Sequence, residues 1–99
     1  MQNLKIVIKP LALNDLDDIW LATATDDPAA ADRLIDKIVV RLNQVSVFPE
    51  SGTARPDLHK EARMLVEGNY LVIYRVLAEA VEVLRVIHGA RNLPDFDLL

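Results

Sequence analysis

The side chains that stand out as carriers of chemistry lie in the second half of the chain: Arg55, Arg63, Arg85 and Arg91, with His59 and His88. A guanidinium presents planar, paired donors that match a carboxylate or phosphate. An imidazole titrates near neutrality, so His88 could serve as a general acid. Each also has a plainer reading. Arg63 and Arg91 could be solvated or bridged to Glu61, Glu67 or Asp95, and Arg85 shares that alternative. His88 could close a strand by bonding backbone and ordering a turn at Gly89, while His59 reads as a solvated loop residue. Two histidines without a cysteine make a poor zinc set. No Gly-rich phosphate loop, Ser/His/Asp nucleophile or paired catalytic carboxylates appear, and the Asp-rich stretches lack calcium-loop spacing. No metal or cofactor is expected.

Composition narrows the classes further. At 99 residues the chain is expected to form one domain, residues 1–99, with a modest core. The absence of cysteine fits a reducing cytoplasm. A 52% hydrophobic share with charges interspersed indicates a packed globule. Lys5, Lys9 and Pro10 interrupt any leader-like opening, and no apolar run approaches the roughly 20 residues that span a bilayer. No membrane partner is expected. The net charge is −4, with acids spread over both halves. Bulk nucleic-acid binding is disfavoured, because phosphate neutralisation needs a basic field.

The elements that must position these residues follow from periodicity. Leu4, Ile6 and Ile8 alternate through residues 3–9, a strand. From Leu11 to Ala24, Leu13, Leu16, Ile19 and Trp20 form one helical stripe. Asp15, Asp17 and Asp18 fall off that stripe, on a solvated face favourable to the N-terminal dipole. Trp20 reads as core, or else as an anchor for a partner at the helix boundary. Asp27 then acts as N-cap and Pro28 as first residue of a second helix running to Val47. Its Ala31, Leu34, Ile35, Ile38, Leu42 and Val45 form the buried stripe, and Asp32, Asp36, Lys37 and Arg41 face outward. So short a link implies an antiparallel hairpin.

Past the joint Phe48-Pro49-Glu50-Ser51-Gly52, residues 62–67, 70–76 and 81–87 read as strands. Gly68-Asn69 and Ala78-Glu79 turn them into a meander, with the N-terminal strand at its edge. Even-numbered loops place Arg63 opposite Tyr74, Val66 opposite Leu71, Leu71 opposite Val86, Ile73 opposite Leu84 and Arg75 opposite Glu82. The fold class is α+β: a helical hairpin on one face of a four-stranded, mainly antiparallel sheet. One face then carries Met64, Val66, Leu71, Ile73, Leu84 and Val86 and is expected beneath the helices. The other carries Arg63, Leu65, Tyr70, Val72, Tyr74, Val83, Arg85 and Ile87, and is expected to stay uncovered for a partner.

The order β-α-α-β-β-β resembles that of the RelE/ParE toxins, as do Asp15-Leu16-x-x-Ile19-Trp20 and Phe48-Pro49-x-x-Gly52. So do Arg63-x-Leu65, Gly68-x-Tyr70-Leu-Val-Ile-Tyr74-Arg75 and the ending Val86-Ile87-His88-Gly89-Ala90-Arg91. The resemblance spans nearly the whole chain. It implies a small cytoplasmic toxin, held in a toxin–antitoxin hetero-oligomer by an antitoxin from an adjacent gene, whose disordered tail wraps the toxin's helices and sheet. Members act on DNA gyrase or on ribosome-bound mRNA. Ribosomal cleavage needs groups that activate a 2′-hydroxyl and stabilise the phosphorane-like state; the carriers here would be Arg63, His88 and Arg91. Residues 53–57 hold one basic side chain where such nucleases have several, and Phe96 cannot transfer a proton. The ending looks like the ParE side, which implies gyrase inhibition without turnover, the alternatives being ribosome-dependent cleavage or a non-toxic antitoxin-binding module. Contacts with target or antitoxin would fall to Arg55, Arg63, Tyr70, Tyr74, Arg85, Arg91 and Trp20.

Overall fold

A computed structural model describes residues 3–89. The elements run β1 (Lys5–Ile8), α1 (Pro10–Ala24), α2 (Pro28–Val47), β2 (Thr53–Ala54), β3 (Arg63–Glu67), β4 (Tyr70–Leu77) and β5 (Ala80–His88). Proline opens both helices, where a missing N–H removes no intrahelical bond. Asp27 caps α2 as expected, its carboxylate accepting from the Ala30 N–H at 3.2 Å.

The sheet has five strands in the order β1-β5-β4-β3-β2, one more than expected. The addition is β2, two residues pairing with Arg63 and Met64, too short to show alternation in the sequence. β1 joins β5 in parallel and the other pairs are antiparallel. Both turns fall where expected: Glu67 faces Tyr70 across one, Leu77 faces Ala80 across the other. Arg63–Tyr74, Val66–Leu71 and Arg75–Glu82 are in register. The last is an ion pair at 2.8 Å.

Two expectations fail together. A bulge at Ile73/Tyr74 sets Ile73 opposite Arg85 and Tyr74 opposite Val83, so Leu84 has no directly opposed residue. Leu71 accordingly faces Ile87, not Val86. The facing of the sheet is also inverted. Leu65, Val72, Tyr74, Val81, Val83 and Val86 form the main core with Ala12 and Ile19 of α1 and Ile38, Leu42 and Val45 of α2. Of the six residues expected there, only Val86 arrives, because the bulge flips parity along β5. Ile73 and Leu84 lie on the far face, yet they are 1% and 0% exposed. There they form a second cluster with Ala62 and Ile87, against which Leu58, Met64 and Leu71 pack. The sheet is therefore apolar on both sides, and its far face is not an open binding surface.

Candidate functional site

The expected site residues separate into three places. At the joint after α2, Tyr74 is wholly buried. Its hydroxyl donates to the Pro49 carbonyl at 2.8 Å and accepts from the Gly52 N–H at 2.9 Å. Arg63 reaches the same loop, its Nη1 donating to the carbonyls of Gly52 at 2.7 Å and Glu50 at 3.2 Å. Both side chains fasten the Pro-Gly joint to the sheet. Tyr74, expected on a partner-facing surface, has no surface to offer; a buried phenol needs the partners it has found.

Arg55 follows β2 and grips Asp57 with two bonds, Nε to Oδ1 at 2.9 Å and Nη2 to Oδ2 at 2.7 Å. Those bonds hold the Asp57 carboxyl below its ordinary range, with the charge attraction adding to the effect and desolvation opposing it. The same bonds raise Arg55 above its own ordinary value. Its Nη1 also lies 3.4 Å from the Met64 sulfur. In this loop His59 accepts the Glu61 N–H through Nδ1, at 3.3 Å.

The third place is the edge of β5 left open beyond the last β1 pair, Ile8–Val83. Here Asp15 is not a solvated residue. Its carboxylate accepts Arg85 Nε at 2.6 Å, Arg85 Nη2 at 2.8 Å and the Val86 N–H at 2.9 Å. Both side chains are 13% exposed. Tyr70 packs edge-on against His88, centroids 5.4 Å apart. Asp15, Asp18, Ile19, Tyr70, Val86 and His88 line a surface cleft of about 220 Å³, together with Ala22 and Ile87. An apolar floor with an acidic wall suits a cationic or apolar side chain better than a phosphate. A larger hollow of about 410 Å³, between Asn3–Lys5 and Leu77–Ala80, gathers no convergent polar set.

His88 and Arg63 do not meet. Tyr70 pairs with His88 and Tyr74 with Arg63, on opposite flanks of β4. Four residues along a strand and two strand spacings across put their backbones roughly 16 Å apart. Arg91 lies outside the described residues, as does Phe96. Among the described residues no group of three His, Cys, Asp or Glu could hold a metal ion, and no helix is long and apolar enough to cross a membrane.

Trp20 is not core. It is 36% exposed, and its Nε1 donates across the hairpin to Asp32 at 2.9 Å. Arg41, expected in solvent, instead turns to the end of β3, donating to the Val66 carbonyl at 2.9 Å, with Glu67 3.7 Å away. Sequence reasoning missed Asp15 as a tether. The available signal was its place one residue before Leu16, on the flank of α1 nearest β5.

Known proteins share this arrangement. The chain is 35% identical over 85 residues to "Putative toxin Y4kP" of Sinorhizobium fredii, which covers 84% of this chain and 85% of that protein. A chain of the structure titled "Chromosomal ParDE TA system from P. aeruginosa" superposes with a TM-score of 0.74 at 20% identity, over 87% of this chain and 96% of that one. At that identity the likeness speaks for the fold. The family model for the ParE toxin of type II toxin-antitoxin systems matches residues 6–93. With the match running from β1 to beyond β5, this chain belongs to the ParE toxin family of type II toxin–antitoxin systems.

Proposed function

We propose that this toxin arrests growth by binding DNA gyrase in the cytoplasm without turning over a substrate, and that an antitoxin encoded beside it neutralises it by forming a hetero-oligomer. The separation of Arg63 from His88 carries the non-catalytic part of this reading. General acid–base cleavage of RNA needs its groups within hydrogen-bond reach of one phosphate. Here Arg63 is bound to two loop carbonyls and His88 sits at the far end of the sheet. Gyrase as target is supported by the ParE family match and by the ending His88-Gly89-Ala90-Arg91. An antitoxin partner is supported by the likeness to a chain from a ParDE system. The cleft beside Asp15, lined also by Asp18, Tyr70 and His88, is the surface offered to the target.

Purified gyrase supplies the test. Molar excess of the toxin is expected to block supercoiling, and undiminished supercoiling would overturn the proposal. Codon-specific cuts in ribosome-bound message after induction would do the same in favour of nuclease action. Growth unimpaired by induction without antitoxin would leave only a binding module.

A further inference from the structure

We propose that the cleft between α1 and the end of β5 receives one arginine side chain, with its guanidinium on Asp18 and its stem on the apolar floor. That the arginine belongs to the target protein rests on the reading above; the site itself is argued from its walls. One wall is α1, through Asp15, Asp18 and Ala22; the other is the start of β4 and the end of β5, through Tyr70 and His88. The hollow measures about 220 Å³. Sites that enclose a small molecule run to roughly 300–1,000 Å³. This one has room for a single side chain.

Charge fixes the sign of the occupant. Asp15 is already spent, since its two oxygens accept Arg85 Nε, Arg85 Nη2 and the Val86 N–H. That pair is neutral within itself. Asp18 stands three residues on, along the same flank of α1. It is exposed, and among the described residues it takes part in no hydrogen bond or ion pair. Ala22 follows four residues later and offers only a methyl, which leaves the space above Asp18 open. An anion entering here would meet an uncompensated carboxylate, whereas a cation would supply its counter-charge.

The aromatic wall selects among cations. Tyr70 and His88 meet edge to face, their planes at 81°, and so build an aromatic corner. A planar guanidinium stacks on such a surface while its fork reaches a carboxylate. An ammonium is a compact, strongly hydrated charge and uses an aromatic wall less well. Ile19 and Val86, both buried, form the floor on which an arginine's methylenes can lie with the charged head at the rim.

Four blocked amino acids serve as probes: the N-acetyl N-methylamides of arginine, lysine, citrulline and glutamate. Ring-proton NMR signals of Tyr70 and His88 report binding. The arginine probe is expected to move them, lysine and its uncharged isostere citrulline to act several-fold more weakly, and glutamate not at all. Asp18→Asn is expected to weaken the arginine probe about three- to fivefold, the range of an exposed ion pair. Ala22→Leu is expected to abolish binding by filling the hollow. Both positions are exposed, and alanine and leucine are both good helix formers, so the fold is kept. Asp17→Asn, exposed on the same helix but outside the cleft, is expected to change nothing. Unmoved ring signals, another probe binding as well as arginine, or equal damage by Asp17→Asn would overturn the proposal. So would binding that emerges only after Arg91→Ala, which would make the chain's own arginine the occupant. In supercoiling assays, toxin carrying Asp18→Asn or Ala22→Leu is expected to be needed at several-fold higher concentration for the same block. Undiminished potency of both, with the probe pattern intact, would take the cleft away from the target and leave the gyrase reading standing. A parent toxin that leaves supercoiling untouched would sink that reading instead, and the probes alone would then decide the cleft.

Discussion

Gly52 is a residue whose identity is dictated by one neighbour. A Cβ built there would lie 2.6 Å from the Tyr74 hydroxyl and 2.7 Å from its Cε1. The ring cannot retreat, since it is wholly buried among Leu65, Val72 and Val83. Gly52→Ala is expected to lower unfolding free energy by about 1–3 kcal/mol through overpacking. Tyr74→Phe should cost a similar ~1–3 kcal/mol by leaving the Gly52 N–H and the Pro49 carbonyl without their bond. Urea unfolding of both variants and of the double mutant checks this, and the costs should fail to add, because both substitutions break one contact. Asp15→Ala is the comparable case at the β5 edge. It takes the carboxylate away from the Arg85 guanidinium and the Val86 N–H in a partly buried place, for an expected loss of about 2–4 kcal/mol. Neither role was legible from residue type. Phe48-Pro49-x-x-Gly52 showed that a tight joint exists, but not that a tyrosine in β4 closes it, because that pairing is a contact between distant residues.

Strands, turns, helices and the Asp27 cap were readable because each is written locally, in period and punctuation. The facing of the sheet was not. Leu71-Val72-Ile73-Tyr74 and Val83-Leu84-Arg85-Val86-Ile87 are apolar at both parities, so alternation fixes which residues share a face without saying which face the helices cover. Tyr74 then looked like a surface residue, whereas its hydroxyl has buried partners. The bulge is equally hidden, since one extra residue in β5 leaves no mark in so uniform a run. Loop 55–62 covers the far face, and its Arg55–Asp57 clamp makes that cover dependent on pH. Asp57 titrates below its ordinary value in the folded chain because it accepts the Arg55 bonds. Its contribution is therefore present above the unfolded value of about 4 and lost as pH falls through the lowered folded value. Asp57→Asn is expected to lower stability slightly near neutrality and to flatten the acid limb, the two chains converging as pH falls below the lowered folded value, and unfolding titrations across that range would show it. An acid limb as steep as in the parent chain would remove the clamp from the account.

At the scale of the molecule, a sequence that looks evenly acidic folds with its excess negative charge on the helical hairpin, the described residues outside it holding six acids against seven bases. Counts over the two halves of the sequence do not show this, since Lys5 and Lys9 fall in the same half as the hairpin but belong to its surroundings. Clustered aspartates repel one another and destabilise the compact state slightly. Their persistence beside exposed leucine, valine and tryptophan fits a surface shaped for a partner more than for the isolated chain. The two demands can be pulled apart. Replacing Asp17 and Asp36 together by lysine removes two negative charges and adds two positive ones, taking the hairpin from −4 to neutral at two exposed positions. Stability should stay the same or rise by about 0.5 kcal/mol, as for surface changes that relieve repulsion. Affinity for a basic amphipathic partner should fall more than tenfold, most steeply at low salt. Glu79→Lys, an exposed reversal on the sheet half, serves as the matched control and should alter neither quantity by as much. If the double reversal and the control weakened binding equally, the hairpin's charge would act only as part of a general field. If the double reversal alone did so, while unfolding at the same denaturant concentration as the parent, the hairpin's aspartates would be a recognition element in their own right.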